Sequence, residues 1–291
     1  MQRFVEITKH VRLWVDVTGR HDASPLLLIM GANASGLAWP DDLVQQLARH
    51  HRVVRYDHRD TGRSTRAFDD APYAITDLAE DAIAVLDDLG IERAHVVGMS
   101  MGGTLVQLLL LDHPSRLLSA TVFATSALAA GHTADGLGQD PALPDPDPRL
   151  LALWESMAEP RTRDAEIDWR VEHWRLLNGD VADFDADEFR RLEERLIDHA
   201  GRHDNPAAHA RADQIGLDRG TELRGVTVPT LVIDAPEDPI HPPPHAAHLA
   251  QSIGNSQMTT VPGMGHALSR PVRGPLVDAI LAHTTTIDSQ P

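Results

Sequence analysis

No cysteine occurs among the 291 residues, and lysine occurs once, as Lys9, against 25 arginines. The first absence excludes a disulfide framework, a thiolate metal site, an iron–sulfur cluster and a cysteine nucleophile. The second excludes a Walker A lysine and leaves Schiff-base chemistry without a well-placed amine, because Lys9 lies in the N-terminal strand region. Covalent chemistry then falls to Ser, Thr, Asp, Glu, His or Tyr. No run of about 20 apolar residues is present, so no membrane span is expected. No basic stretch leading into an apolar one opens the chain, so no signal peptide is expected, and the cytoplasm is the expected location. A basic face is missing too. Lys and Arg number 26 against 43 Asp and Glu, a net −17, which argues against nucleic acid and anionic membranes as partners and favours solubility.

What is present begins with two alternating runs, one through Phe4, Val5 and Ile7, the other through Val11, Leu13, Val15 and Val17, joined near Lys9 and His10. Period-two alternation predicts an antiparallel hairpin. Leu26, Leu27, Leu28, Ile29 and Met30 then form a continuous apolar run ending at Gly31, the pattern of a strand covered on both faces. Further strands are predicted at 52–57, 94–97 and 118–123, with helices at 42–50, 76–89 and 101–111. Strands alternating with helices imply parallel pairing. The rhythm stops at about residue 129. Segment 131–148 is rich in Gly, Pro and Asp and reads as a loop, and helical patterns run through 150–157, 165–177 and 185–200. A strand at 228–233, a helix near 244–252, a strand near 257–261 and a helix near 274–284 complete the chain. The expected plan is an α/β core, 1–128 and 226–291, with a mostly parallel sheet and an N-terminal antiparallel hairpin. A helical cap at 129–225 interrupts it. The cap holds 22 acidic against 12 basic residues, a net −10 of the total −17, and Trp154, Trp169 and Trp174, three of the five tryptophans.

Gly98-Met99-Ser100-Met101-Gly102-Gly103 stands between a predicted strand and a predicted helix. Small residues there permit a sharp turn that exposes the central serine at a helix N-terminus, whose free N–H groups favour developing negative charge. The ordinary alternative is a capping serine at a strand-to-helix turn, but the required strand and helix both flank the motif. A serine alcohol needs a base and an orienting acid, and an elbow of this kind predicts the order Ser, acid, His. Asp238 lies past the strand at 228–233 and is the expected acid. Asp234 at the strand end and Glu237 are the other carboxylates nearby, read as turn-forming or solvated. His266, in Pro262-Gly263-Met264-Gly265-His266-Ala267, is the expected base. Among the other histidines, His10, His50, His51 and His132 read as surface loop residues and His95 as a core histidine. His241, His245 and His248 have spacings that suit a metal, but no carboxylate motif accompanies them, and no metal site is expected. An oxyanion hole needs two backbone donors. Met101 N–H is the first, and Ala32 is expected to supply the second, with Asn33 beside it as a possible side-chain amide.

These residues together resemble the α/β-hydrolase superfamily. Met30-Gly31-Ala32, the run from Asp57 to Ser64, the Ser100 elbow, Asp238 and Gly265-His266 carry the resemblance. Many members have His-Gly at the first position, a departure of small consequence for a backbone donor, and Gly where Asp60 stands. A closer likeness is to anthracycline methylesterases of aromatic polyketide biosynthesis, the aclacinomycin methylesterase type. It rests on the runs 55–64, 94–98, 193–201, 226–233 and 262–268, and so spans nearly the whole chain, the cap included, while 131–148 and 203–220 look divergent. The resemblance implies hydrolysis of a carboxylic methyl ester on a polyketide aglycone, without metal or organic cofactor. The same triad also serves carboxylesterases, lactonases and perhydrolases, and a non-catalytic ligand-binding module is a remote alternative on this fold. The site is expected between the sheet's carboxyl edge and the cap, with Trp154, Trp169 and Trp174 either lining it or packing the cap core. The cap's acidity favours neutral or cationic substrates. The sequence leaves monomer or homodimer open.

Overall fold

The computed structural model describes residues 1–128, 143–204 and 207–289. Its strands are β1 (Gln2–Glu6), β2 (Arg12–Thr18), β3 (Pro25–Ile29), β4 (Arg52–Tyr56), β5 (Ala94–Met99), β6 (Leu117–Phe123), β7 (Thr230–Asp234) and β8 (Ser256–Thr260). They form one sheet in the order β1-β2-β4-β3-β5-β6-β7-β8. The β1–β2 and β2–β4 pairs are antiparallel and all others parallel. The helices are α1 (Asp41–Leu47), α2 (Ile75–Asp88), α3 (Met101–Asp112), α4 (Pro148–Trp154), α5 (Arg163–Leu177), α6 (Ala186–Ala200), α7 (Ala208–Arg211), α8 (His245–Ser252) and α9 (Arg270–Asp288).

The continuous apolar run of β3 follows from cover on both faces. Leu27 and Ile29 point into a core shared with α2, α3 and α8, whereas Leu26 and Leu28 point into the core under α1 and α9. Successive side chains on opposite faces then all need to be apolar. From β3 the chain passes to β4 on one side, while β5 pairs on the other. The loops leaving the carboxyl ends of β3 and β5 therefore diverge and open a crevice, where ligands of such sheets bind. Among the described residues, the helices α4 to α7 lie between β6 and β7. A separate apolar cluster of Leu150, Leu176, Leu177 and Phe189 holds α4, α5 and α6 together, and it includes Ala267 of the core. Among the described residues no helix is long and apolar enough to cross a membrane.

Several boundaries differ from the sequence reading. β7 begins at Thr230, not at 228, because Pro229 has no N–H for the ladder and only its carbonyl bonds, to Ala120. The last helix begins at Arg270, four residues earlier than expected. Ser269 stands before it in an extended conformation and Pro271 falls in the first turn, where the missing donor costs nothing. α7 was not expected. His51 was expected on the surface and is buried: its Nδ1 lies 3.2 Å from the Ser24 carbonyl and its Nε2 2.8 Å from Thr284 Oγ1 of α9, which covers it. His132 and most of the 131–148 loop lie outside the described residues.

Candidate active site

Ser100 is the hinge between β5 and α3, with φ 57° and ψ −126°. An L-residue holds such angles only against roughly 1–3 kcal/mol of strain, so its surroundings must impose them. Two glycines make that possible. A Cβ on Gly98 would lie 2.2 Å from the Gly102 carbonyl oxygen, and one on Gly102 would lie 2.1 Å from that of Ile29. The turn is anchored by Ser100 N–H to the Phe123 carbonyl, at 3.1 Å, while the Ser100 carbonyl accepts from Gly103 and Thr104.

His266 Nδ1 lies 3.0 and 2.9 Å from the two carboxylate oxygens of Asp238. Both residues are buried. Burial pushes the Asp238 carboxyl's pKa up, but the charge and hydrogen bond of His266, the charge of His241 and the Ile240 N–H outweigh it and hold the pKa down at about 2. The same carboxylate accepts from the Ile240 and His241 N–H groups, which fixes its orientation. Asp234 instead accepts from Thr260 Oγ1 at the sheet edge.

The helical segment between β6 and β7 takes part in placing His266. The His266 and Ala267 N–H groups donate to the Leu177 carbonyl at the end of α5, at 2.7 and 3.2 Å. Chain approach is so close that a Cβ on Gly265 would fall 2.3 Å from the Asn178 carbonyl oxygen.

Ser100, His266, Ala32, Asn33, Trp154, Trp169 and Trp174 line one cavity of about 360 Å³ at the carboxyl end of the sheet. The tryptophans both line it and pack among α4, α5 and α6, so the two readings of them are compatible. Their indole N–H groups are engaged within the same helical segment, with His173 Nε2, Ser156 Oγ and Glu193 Oε1 respectively. Met101 is outside the lining set. Its side chain packs towards the α2–α3 core and its N–H opens α3.

The loop after β3 is tied down by two histidines: His58, within the Asp57 to Ser64 run that carries the family resemblance, and His209, which the sequence did not single out. His58 Nε2 meets the Met30 carbonyl at 2.9 Å. His209, from α7, accepts the Asn33 N–H on Nδ1 at 2.9 Å and donates from Nε2 to the Arg59 carbonyl at 3.0 Å. Asn33 Oδ1 also faces the His209 N–H. Asn33 is therefore occupied through both its N–H and its side-chain oxygen, whereas no protein acceptor for the Ala32 N–H is found among the described residues. Burial holds His209 low, at about 4, against the opposing Arg59 bond. Burial, then the nearby His209, hold His58 at about 3.

Asp57 knits α6 to this region, accepting from Ser35 Oγ, the Gly36 and Arg63 N–H groups and His199 of α6. The donor atoms of His241, His245 and His248 do not all lie within 4.8 Å of one another. Among the described residues, the donor atoms close enough to hold an ion are those of His51, His95 and Asp288 at the opposite end of the sheet, and Ser24, Thr284 and Ser119 already hydrogen-bond them.

The family described by the alpha/beta hydrolase fold matches residues 24–269. The chain is 47% identical to the rhodomycin D methylesterase of Streptomyces peucetius, over 94% of this chain and 95% of that one. It is likewise 47% identical to the rhodomycin D methylesterase of Streptomyces sp. (strain C5), over 96% and 97%. A crystal structure of an esterase from Rhodococcus sp. superposes with a TM-score of 0.75 at 21% identity, covering 99% of this chain and 98% of that one, a likeness of fold.

Proposed function

Because this chain belongs to the α/β-hydrolase family and is a carboxylic ester hydrolase, we propose that Ser100, His266 and Asp238 cleave the ester of a small molecule through an acyl-enzyme. The observation that carries this assignment is the buried Asp238–His266 pair opening, with Ser100 on its strained turn, onto one cavity. The carboxylate contact assigns the proton of a neutral imidazole to Nδ1 and leaves Nε2 as the base. Ser100 Oγ attacks the ester carbonyl carbon as His266 Nε2 takes its proton. The resulting oxyanion accepts hydrogen bonds from the Met101 and Ala32 N–H groups. Collapse of this intermediate expels the alcohol, protonated by His266. Water then attacks the acyl group, giving its proton to His266, and the free acid leaves as Ser100 is regenerated. Each of these steps is served by protein groups alone, so no cofactor is invoked.

We assign residues 129–225 as the cap of this active site. The substrate is proposed to be a methyl ester on an aromatic polyketide. Two observations support it: identity to rhodomycin D methylesterases that extends over the cap, and a cavity walled by three tryptophans, which suit a flat aromatic ligand. The test is methanol release from a methyl ester of an aromatic polyketide acid. Ser100→Ala should lower the rate by roughly 10⁴-fold or more. A serine-directed phosphonate should label Ser100. Wild-type rates in Ser100→Ala, or labelling elsewhere, would overturn the assignment.

A further inference from the structure

Among the polar groups that the cap brings to the cavity, His173 stands out as one that the reaction above does not use. His173, on α5, sits among the three tryptophans, with ring centroids 6.1, 5.4 and 6.4 Å from Trp154, Trp169 and Trp174. It lines the cavity shared by Ser100 and His266. Trp154 Nε1 lies 3.0 Å from His173 Nε2. An indole N–H only donates, so Nε2 must be the unprotonated nitrogen, and the neutral ring carries its hydrogen on Nδ1. No protein partner for Nδ1 is found among the described residues.

Protonating Nε2 would break the Trp154 bond. Burial opposes it further, as do the charges of His266 and Arg170, and the pKa is held at about 4. The neighbouring polar groups on this wall are committed elsewhere. Arg170 is bound to Glu166, Glu193 and the His203 carbonyl, and the indoles of Trp169 and Trp174 bond Ser156 and Glu193. An apolar aromatic wall is thus interrupted by an oriented, uncharged N–H donor, the arrangement by which a mostly apolar pocket fixes a ligand's orientation.

We propose that His173 Nδ1–H is a specificity-determining substrate contact that donates to a neutral acceptor oxygen, a ketone or quinone carbonyl, on the ring system of the acyl group. The donor has its tautomer set by Trp154. This rests on the ester-hydrolase reading of the site. Because the ring stays neutral, the contact is independent of pH across the range where His266 works as a base.

The experiment compares two flat methyl esters of the same shape, those of anthraquinone-2-carboxylic acid and anthracene-2-carboxylic acid. Only the first carries ring carbonyls. Their ratio of kcat/KM is read in wild type, His173→Phe, His173→Gln and His173→Asn. A ratio taken within each variant cancels any loss of folded protein. The wild type should prefer the quinone ester by about tenfold, the worth of one hydrogen bond, and the preference should be flat between pH 6 and 8. His173→Phe removes the donor, and His173→Gln places its amide at the Nε2 position, facing Trp154. Both should abolish the preference, chiefly through KM of the quinone ester. His173→Asn keeps an N–H near the Nδ1 position and should restore most of it. An equal ratio in wild type and His173→Phe, or His173→Asn behaving like His173→Phe, would overturn the proposal while the hydrolase reading stood. Methanol release from neither ester by wild type, or undiminished release by Ser100→Ala, would bring down the underlying reading and this proposal with it.

Discussion

Asp60 stands in the left-handed region at φ 66°, where many α/β-hydrolases have glycine, and its side chain accounts for the exchange. One carboxylate oxygen accepts from the Ala67 and Phe68 N–H groups, at 3.1 and 3.4 Å, and the other from the Tyr73 hydroxyl at 2.8 Å. Acidic and amide side chains tolerate this backbone better than other residues with a Cβ. The buried acceptor then offsets the remaining strain by satisfying donors that would otherwise be orphaned. Asp60→Ala keeps the strain and loses the three bonds, and should destabilise the fold by about 3 kcal/mol. Asp60→Gly loses the same bonds but relaxes the backbone, and should recover about 1 kcal/mol of that. Urea unfolding of the three proteins checks the ranking, and Gly and Ala variants of equal stability would show that backbone strain at this position is negligible. Asp60 was legible in the sequence as a departure, but not its compensation, because Tyr73 is linked through a turn that no local pattern announces.

At the scale of elements, the residues proposed for the chemistry are those that a local sequence pattern marks. Ser100, with its glycines, falls within six consecutive residues, and Asp238 and His266 each follow a strand. What the sequence did not reveal is the dependence of the His266 loop on the cap. That dependence runs from His266 N–H to the Leu177 carbonyl, 89 residues away in the chain, and backbone-to-backbone contacts leave almost no side-chain signature. The trace it does leave is Gly265. His173 had a fainter signal, falling four residues after Trp169 and four before Leu177 on one face of α5. A Cβ at position 265 would push against a main-chain oxygen that cannot rotate away. Gly265→Ala should therefore cost about 1–3 kcal/mol of stability. By displacing the imidazole it should also lower kcat roughly 100-fold. Gly225→Ala, where a Cβ meets nothing within 4 Å, is the control and should stay within about 0.5 kcal/mol of wild type. If Gly265→Ala keeps wild-type kcat in its folded fraction, the cap does not set the position of His266.

For the molecule as a whole, the net charge of −17 proves a weak guide to the substrate. The acids inside the cap, Glu166 and Glu193, are buried and paired with Arg161 and Arg170. Glu155, Glu159, Asp164, Asp168, Asp187 and Asp198 are exposed to solvent, where salt screens them. Buried histidines have the larger consequence. Burial is the first cause that holds His58 at about 3, His173 at about 4 and His209 at about 4. It also lowers His51, His95 and His283. In the unfolded chain these groups titrate near 6.5. Between pH 6.5 and about 4 the unfolded chain thus binds protons that the folded one refuses, and stability must fall as pH falls. The slope is up to about 1.4 kcal/mol per pH unit for each such group. Asp238, held at about 2, adds a loss only below the ordinary carboxylate pKa near 3.8, whereas Asp81, which burial raises, opposes the trend above 3.8, where the folded chain takes up a proton before the unfolded one. The urea midpoint should therefore be nearly level from pH 8 to 7 and drop steeply from 6.5 to 4.5. In His209→Gln the drop should be shallower by about one group's share, whatever that variant's absolute stability, since one refused proton is gone. A midpoint that stays constant from pH 7 to 4.5 would mean that these rings accept protons in the folded state. The Asn33–His209–Arg59 link beneath the loop after β3 would then be ionic and not neutral.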